Sequence, residues 1–283
     1  MTRETLILET RHETTSTHNG FGLLVNRLPS WVMSLAGIAA LLAIWAVLAV
    51  TVFSGSGSGV PTPWAVLSQL GSDGWSFYQP LIAATLGEAL RGYLIGNGLA
   101  LACAALVLLV PWLERLVVQL AVASYCLPLV AIGPILSLLL TGDAPMITIA
   151  ALSVFFTTLI GALLGLRSAD PVTLDVVRAY GGGRRAELAK VRLMAALPAT
   201  LAALKISAPA ALLGAIIGEY LGHIDIGLGV AMTVSEAAVE VPRTWGIALV
   251  SGLVAGVGYG LTALIARVAL PWSRTTTLSG GDL

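Results

Sequence analysis

The chain reads as an all-α membrane protein with six transmembrane helices. Hydrophobic residues make up 57% of its 283 residues and charged residues only 11%, with a mean hydropathy of +0.91. That balance lies far from a soluble domain of this length. Apolar runs near 31–53, 86–110, 117–140, 145–166, 199–220 and 245–270 approach or exceed the roughly 20 residues that cross a hydrocarbon core. Lys and Arg also gather at one end of these runs: with the N-terminus in the cytoplasm, all but Arg91 and Arg243 of the 15 lie at cytoplasmic ends. Such a bias sets orientation and places both termini in the cytoplasm.

Residues 1–30 are polar and Thr-rich, with Glu4, Glu9 and Glu13 among the arginines, and are expected to form a cytoplasmic tail. The first apolar run starts too late and runs too long for a cleaved signal peptide. Residues 31–59 hold the first span and a linker, Ser54-Gly55-Ser56-Gly57-Ser58-Gly59, flexible by composition. Residues 60–272 form a core of five spans, opened by Pro61-Thr62-Pro63-Trp64, and 273–283 a cytoplasmic tail. The second and third spans are separated by a tight turn at Pro111-Trp112 and Glu114-Arg115. In the third span Pro128 and Pro134 remove backbone donors, and a break at membrane depth survives only against protein or a watery cavity.

The stretch from Asp170 to Pro198 is the longest polar interruption between spans, and with Arg167 it delimits a loop at 167–198. It carries Arg178, Arg184, Arg185, Lys190 and Arg192. Asp170 followed by Pro171 predicts a capped helix start. Gly181, Gly182 and Gly183 must end that helix, and a second short helix follows from Arg184. Two short basic helices with a tight elbow are expected to form a docking surface for a cytoplasmic partner. The triple glycine before Arg184-Arg185 also fits a phosphate cradle, although a helix elbow explains it more simply.

This loop resembles the EAA loop of binding-protein-dependent ABC transporter permeases: Glu-Ala-Ala, three residues, Gly, nine residues, Ile-x-Leu-Pro. Asp175 stands at the Glu position with a shorter reach, and Val176 and Val177 replace the alanines. Gly181 is the motif glycine, Val191 takes the Ile position and Leu193 matches. Met194 replaces the first proline. Pro198 matches a second proline of the nitrate, sulfonate and taurine branch. Thr85 with Arg91-Gly92-Tyr93 to Gly98, Glu219 with Gly227-Leu228-Gly229, and Pro271-Trp272 are also similar to that branch, over roughly residues 60 to 272.

The resemblance implies a type I importer permease (MetI-like) fold in the bacterial inner membrane. It implies that Asp175, Val176, Val177, Arg178, Gly181, Gly182, Arg184, Arg185 and Val191 meet an ATP-binding subunit. Spans three to five would line the path, with Tyr125, Ser207 and Glu219 as candidate contacts. Implied partners are a pair of ATP-binding subunits, a second permease copy or a homologue, an extracytoplasmic solute-binding protein and the lipid bilayer, with no nucleic acid. The solute by analogy is a sulfonate, taurine or nitrate-like anion, or alternatively a thiamine-precursor pyrimidine or other heterocycle.

No Gly-Lys-Ser/Thr phosphate loop is present, so ATP and Mg are expected on the partner and no cofactor on this chain. His12, His18 and His223 are scattered, so no metal site is expected. Cys103 and Cys126 fall within spans and are expected to serve as small apolar groups. Nothing resembles a nucleophile with its base, which argues against an enzyme. Glu88 and Arg91, three apart in span two, are expected to pair on one helix face. Glu219 fits an outer gate or a structural hydrogen bond equally. A secondary transporter remains the rival class, but it would need acids at mid-membrane. Stripes of glycine at four-residue spacing, Gly92 with Gly96, Gly214 with Gly218, and Gly252, Gly256 and Gly260, suit close helix packing within the chain or between subunits.

Overall fold

The computed structural model describes residues 30–52, 59–222 and 225–270, and among them every regular element is helical. The two tails, most of the Ser-Gly linker, His223 and Pro271-Trp272 lie outside the described residues. The chain divides into a unit ending at Pro63 and a unit from Trp64 onward. In the first unit, α1 (Ser30–Thr51) is apolar throughout and long enough to cross a bilayer.

The second unit is built on α2 (Pro63–Leu109), 47 residues in two helical stretches. It therefore starts well before the span expected from residue 86. Pro63 occupies a first-turn position, and a kink at Gly74 (φ 70°) interrupts the segment. Ser68, Gln69, Ser72 and Asp73 dilute its apolar content, so hydropathy alone ends the span too early. What holds the segment in place is tertiary. Asp73 accepts from Arg243 Nη2 at 2.8 Å, Gln69 at 2.8 Å and Tyr78 at 3.2 Å. Tyr78 packs with Leu228 and Ile247 below it.

After a single turn at Pro111–Leu113 come α3 (Glu114–Cys126) and α4 (Leu129–Leu139), which meet at 94°. The stretch expected as the third span is thus a bent pair; Pro128 starts α4 and removes the donor that would have continued α3. Cys126, at the break, is exposed rather than packed as a small apolar group. Next come α5 (Ala144–Arg167) and α6 (Pro171–Ala179). Then α7 (Arg184–Glu187) runs through a π turn at Leu188–Arg192 into α8 (Leu193–Leu221). The second helix of the elbow is therefore not a separate short piece but the first turns of a span. Finally, α9 (Leu228–Ala237) is short, and α10 (Val241–Ala269) spans. Among the described residues five helices are long and apolar enough to cross, or six if the bent pair counts as one span.

Small residues set the packing. A Cβ at Gly218 would lie 2.8 Å from Met146 Cα, one at Gly214 2.8 Å from Ala150 Cα, and one at Gly96 2.8 Å from Ala151 Cα. Helices α2 and α8 thereby close on α5 backbone to backbone, the contact that replaces hydrophobic driving force inside lipid. Ala100, Val107, Leu159, Leu163 and Ala196 fill the core toward the elbow end.

Candidate functional site

The elbow is assembled from its own sequence. Asp170 accepts from the Val172 amide at 3.2 Å, the Thr173 amide at 3.3 Å and the Thr173 hydroxyl at 2.9 Å, so the free amides of α6 are capped. These bonds, the Thr173 hydroxyl foremost, hold its carboxyl below the usual aspartate range. At the other end Gly181 takes φ 76°, the left-handed conformation that costs any other residue. Its amide bonds Arg178 O at 2.9 Å, and the Gly182 amide bonds Val177 O at 2.8 Å, the paired bonds of a Schellman stop. A Cβ on Gly182 would lie 2.7 Å from Val177 O, so the second glycine is required by closeness rather than by φ.

An ion pair sets the angle of the elbow. Arg178 Nε donates to Glu187 Oε1 at 2.8 Å and Nη1 to Asp175 Oδ1 at 3.0 Å. Glu187, which sequence spacing did not single out, joins α6 to α7 and raises the Arg178 guanidinium further above its usual value. Behind it, Leu174 and Val191 are buried with Ala169, and Val177 packs against them. The opposite side of α6 presents Val172, Val176 and Tyr180, exposed at 68%, 50% and 90%. These are four residues apart and share one face. Asp175 on the same helix and Arg185 on α7 are exposed, and Arg184 opens α7.

Deeper in the spans, Asn97 of α2 is buried and joins three helices. Its Oδ1 accepts from Thr158 of α5 at 2.5 Å and Ser207 of α8 at 3.3 Å, and Tyr93 donates to Leu204 O at 3.1 Å. The Nδ2 of Asn97 has no partner. Ser207 is thus held between helices with no exposed surface. Glu219 is 1% exposed and accepts from the Gly229 amide at 2.6 Å, while Thr85 Oγ1 accepts from the Leu228 amide at 2.9 Å. Of its two expected roles the structure displays the hydrogen-bonded one, as the carboxyl that seats the Gly227-Leu228-Gly229 turn. Glu88 and Arg91 do not pair. Glu88 turns inward and is 3% exposed, while Arg91 turns out to Asp143 at 3.1 Å, the nearer free carboxylate. Tyr125 is 67% exposed at the break between α3 and α4 and stacks on Phe156, with ring centroids 4.5 Å apart.

The profile of the binding-protein-dependent transport system inner membrane component family matches residues 96–274. This chain belongs to that family. A probable ABC transporter permease protein of Haemophilus influenzae is 32% identical over 72% of this chain and 82% of its own length. The riboflavin transport system permease protein RibX of Chloroflexus aurantiacus is 26% identical, over 68% of this chain and 72% of its own. The formylaminopyrimidine transport permease protein ThiX of Halalkalibacterium halodurans is 27% identical, over 64% and 75%. The chain is the permease subunit of an ABC importer, a multi-pass membrane protein and not an enzyme; ATP is hydrolysed by a separate subunit. As a permease of this family it works with an ATP-binding subunit and a substrate-binding protein. The two relatives with named solutes carry heterocycles in their names and no oxyanion.

Proposed function

We propose that this permease sits on its ATP-binding partners through the elbow at 167–198 and passes a flat nitrogen heterocycle received from a binding protein. The observation that carries the docking reading is the exposed row Val172, Val176 and Tyr180 on a helix fixed from behind. An apolar face on an elbow that also carries Asp175, Arg178 and Arg185 marks a protein interface. In this reading Val177, Gly181, Gly182 and Val191 hold the row in shape and Arg184 starts the transmitting helix. Because α7, the π turn and α8 run without interruption from Arg184 to Leu221, a push on the elbow moves a span directly. ATP must favour one arrangement over the other for that push to alternate access. The excess of Lys and Arg at that end supports a cytoplasmic elbow and cytoplasmic termini.

Tyr125, at a backbone break that lipid would not tolerate, is the path contact in this scheme. Ser207 and Glu219 line the route only when the helices around them part. The names of two relatives support the heterocycle, and the Tyr125–Phe156 stack supplies a flat aromatic face for one.

Val176→Asp places a charge on the exposed row. It should weaken association with the ATPase at least tenfold in a pull-down while leaving the melting temperature of the permease unchanged. Undiminished association would remove the elbow as the docking surface, and uptake persisting with no ATPase at all would point to a secondary carrier. Uptake into proteoliposomes holding the complete importer then decides the solute. Riboflavin or an aminopyrimidine should accumulate on ATP addition, whereas accumulation of taurine or nitrate instead would restore the anion that the loop's resemblance implies.

A further inference from the structure

Two cavities meet behind the elbow. One, of about 470 Å³, opens between α3 and α5 with Arg115, Gln119, Val118, Ile160 and Leu164 on its walls. The second, of about 220 Å³, continues inward beneath Glu187, Leu188 and Arg192. Glu114, Leu163 and Arg167 belong to both, so the two form one groove.

The charges in this groove do not cancel. Glu114 is taken by Arg167, and Glu187 by Arg178. That leaves Arg115 and Arg192 with no carboxylate in ion-pair reach among the described residues. Arg192 is moreover half-buried. A guanidinium withdrawn from water without a counter-ion is costly, and its planar fork matches a phosphate. The outer wall is the reverse in character: Val118, Ile160 and Leu164 are apolar, and Leu164 is 61% exposed. A cationic head above an apolar trough at the end of membrane spans suits one class of molecule, an anionic phospholipid.

We propose that this groove binds an anionic phospholipid, with its phosphate between Arg115 and Arg192 beneath the elbow and an acyl chain along Val118, Ile160 and Leu164. The lipid adds a counter-ion that the chain lacks. Because Glu187 and Leu188 roof the inner cavity, the occupant braces the joint between α6 and α7 and so stiffens the elbow.

The test uses the full-length chain in nanodiscs and in micelles, without the ATPase, so that its failure leaves the importer reading untouched. Lipid retention by native mass spectrometry and thermal protection are compared for phosphatidylglycerol, phosphatidylcholine and inorganic phosphate. Phosphatidylglycerol should be held at least tenfold more tightly than phosphatidylcholine. The double variant Arg115→Gln/Arg192→Gln should lose that preference, and Arg115→Lys/Arg192→Lys should keep most of it. Equal retention of the two lipids by the wild type, or a preference unchanged in the glutamine variant, overturns the proposal. Protection by inorganic phosphate equal to that by phosphatidylglycerol also overturns it, in favour of a soluble-anion site. Should the glutamine variant fail to fold, the wild-type comparison still decides: no tenfold preference, no lipid site.

Discussion

At the scale of single residues, Asn97 shows how a buried polar group can be kept for something other than stability. It gains two hydrogen bonds from hydroxyls, of Thr158 and Ser207, and interhelical bonds in lipid contribute about 0.6 kcal/mol each on average. Against this stands its unpartnered Nδ2, and a buried donor left unpaired costs about 1–3 kcal/mol. The ledger is close to level. Asn97→Leu, similar in volume, should therefore shift stability by no more than about 1 kcal/mol in either direction. Freed hydroxyls can turn to carbonyls of their own helices, as Ser207 already does to Leu204 O at 3.0 Å. Transport is another matter, since polar groups at membrane depth are retained where helices move. Substrate-stimulated ATPase activity of the reconstituted importer should fall several-fold in this variant. A loss of more than about 3 kcal/mol in unfolding free energy would show instead that Asn97 is a structural pin, outside the range that these bonds allow.

At the scale of elements, α6 is the piece whose sequence specified it most completely. Asp170-Pro171 starts it and Gly181 stops it, and both signals are local, so they were legible without the fold. The rest of the elbow was not. Glu187 sits nine residues from its partner Arg178, too far for any one-helix spacing rule, and only the turn at the glycines brings the two together. The early start of α2 at Pro63 was hidden for a related reason. Its polar residues look like a loop until Arg243, 170 residues away, reaches Asp73. Conversely, Glu88 and Arg91 had the spacing of a pair and did not form one, because Asp143 offered Arg91 a better partner from another element.

The cap on α6 also gives a pH dependence with a definite sign. Hydrogen bonds from the Thr173 hydroxyl and the Val172 and Thr173 amides depress Asp170 in the folded chain. A depressed carboxyl contributes stability that is complete above the ordinary aspartate range and lost as pH falls through the lowered folded value. Hydrogen exchange at the Val172 and Thr173 amides should accordingly show protection at neutral pH that disappears on strong acidification, after correction for the intrinsic rate. Asp170→Asn should keep protection without the pH dependence, and Asp170→Ala should lose it throughout. Protection in the wild type that survives acidification would mean that packing of Leu174 and Val191, not the cap, holds the first turn.

At the scale of the whole molecule, the glycine stripes divide into two kinds, and the division suggests a test of where a second subunit would fit. Gly92, Gly96, Gly214 and Gly218 are already filled by α5 of the same chain. Gly252, Gly256 and Gly260 on α10 have nothing within 4 Å among the described residues, and the most apolar stretch of α10 is only 11% buried, against 39% for α5. A glycine stripe loses backbone entropy relative to alanine and returns it only when another backbone closes on it. Lipid chains do not supply that contact, so the stripe is the face on which a second permease copy or a homologue, if one pairs with this chain, is expected to pack. Gly256→Leu should then reduce cross-linking between copies in the membrane severalfold while the unfolding free energy of the separated chain stays within about 0.5 kcal/mol of wild type, as for a surface substitution. Unchanged cross-linking would move the subunit contact to another face and leave α10 to the lipid. A fall in the stability of the separated chain would instead show that the stripe closes on part of the same chain.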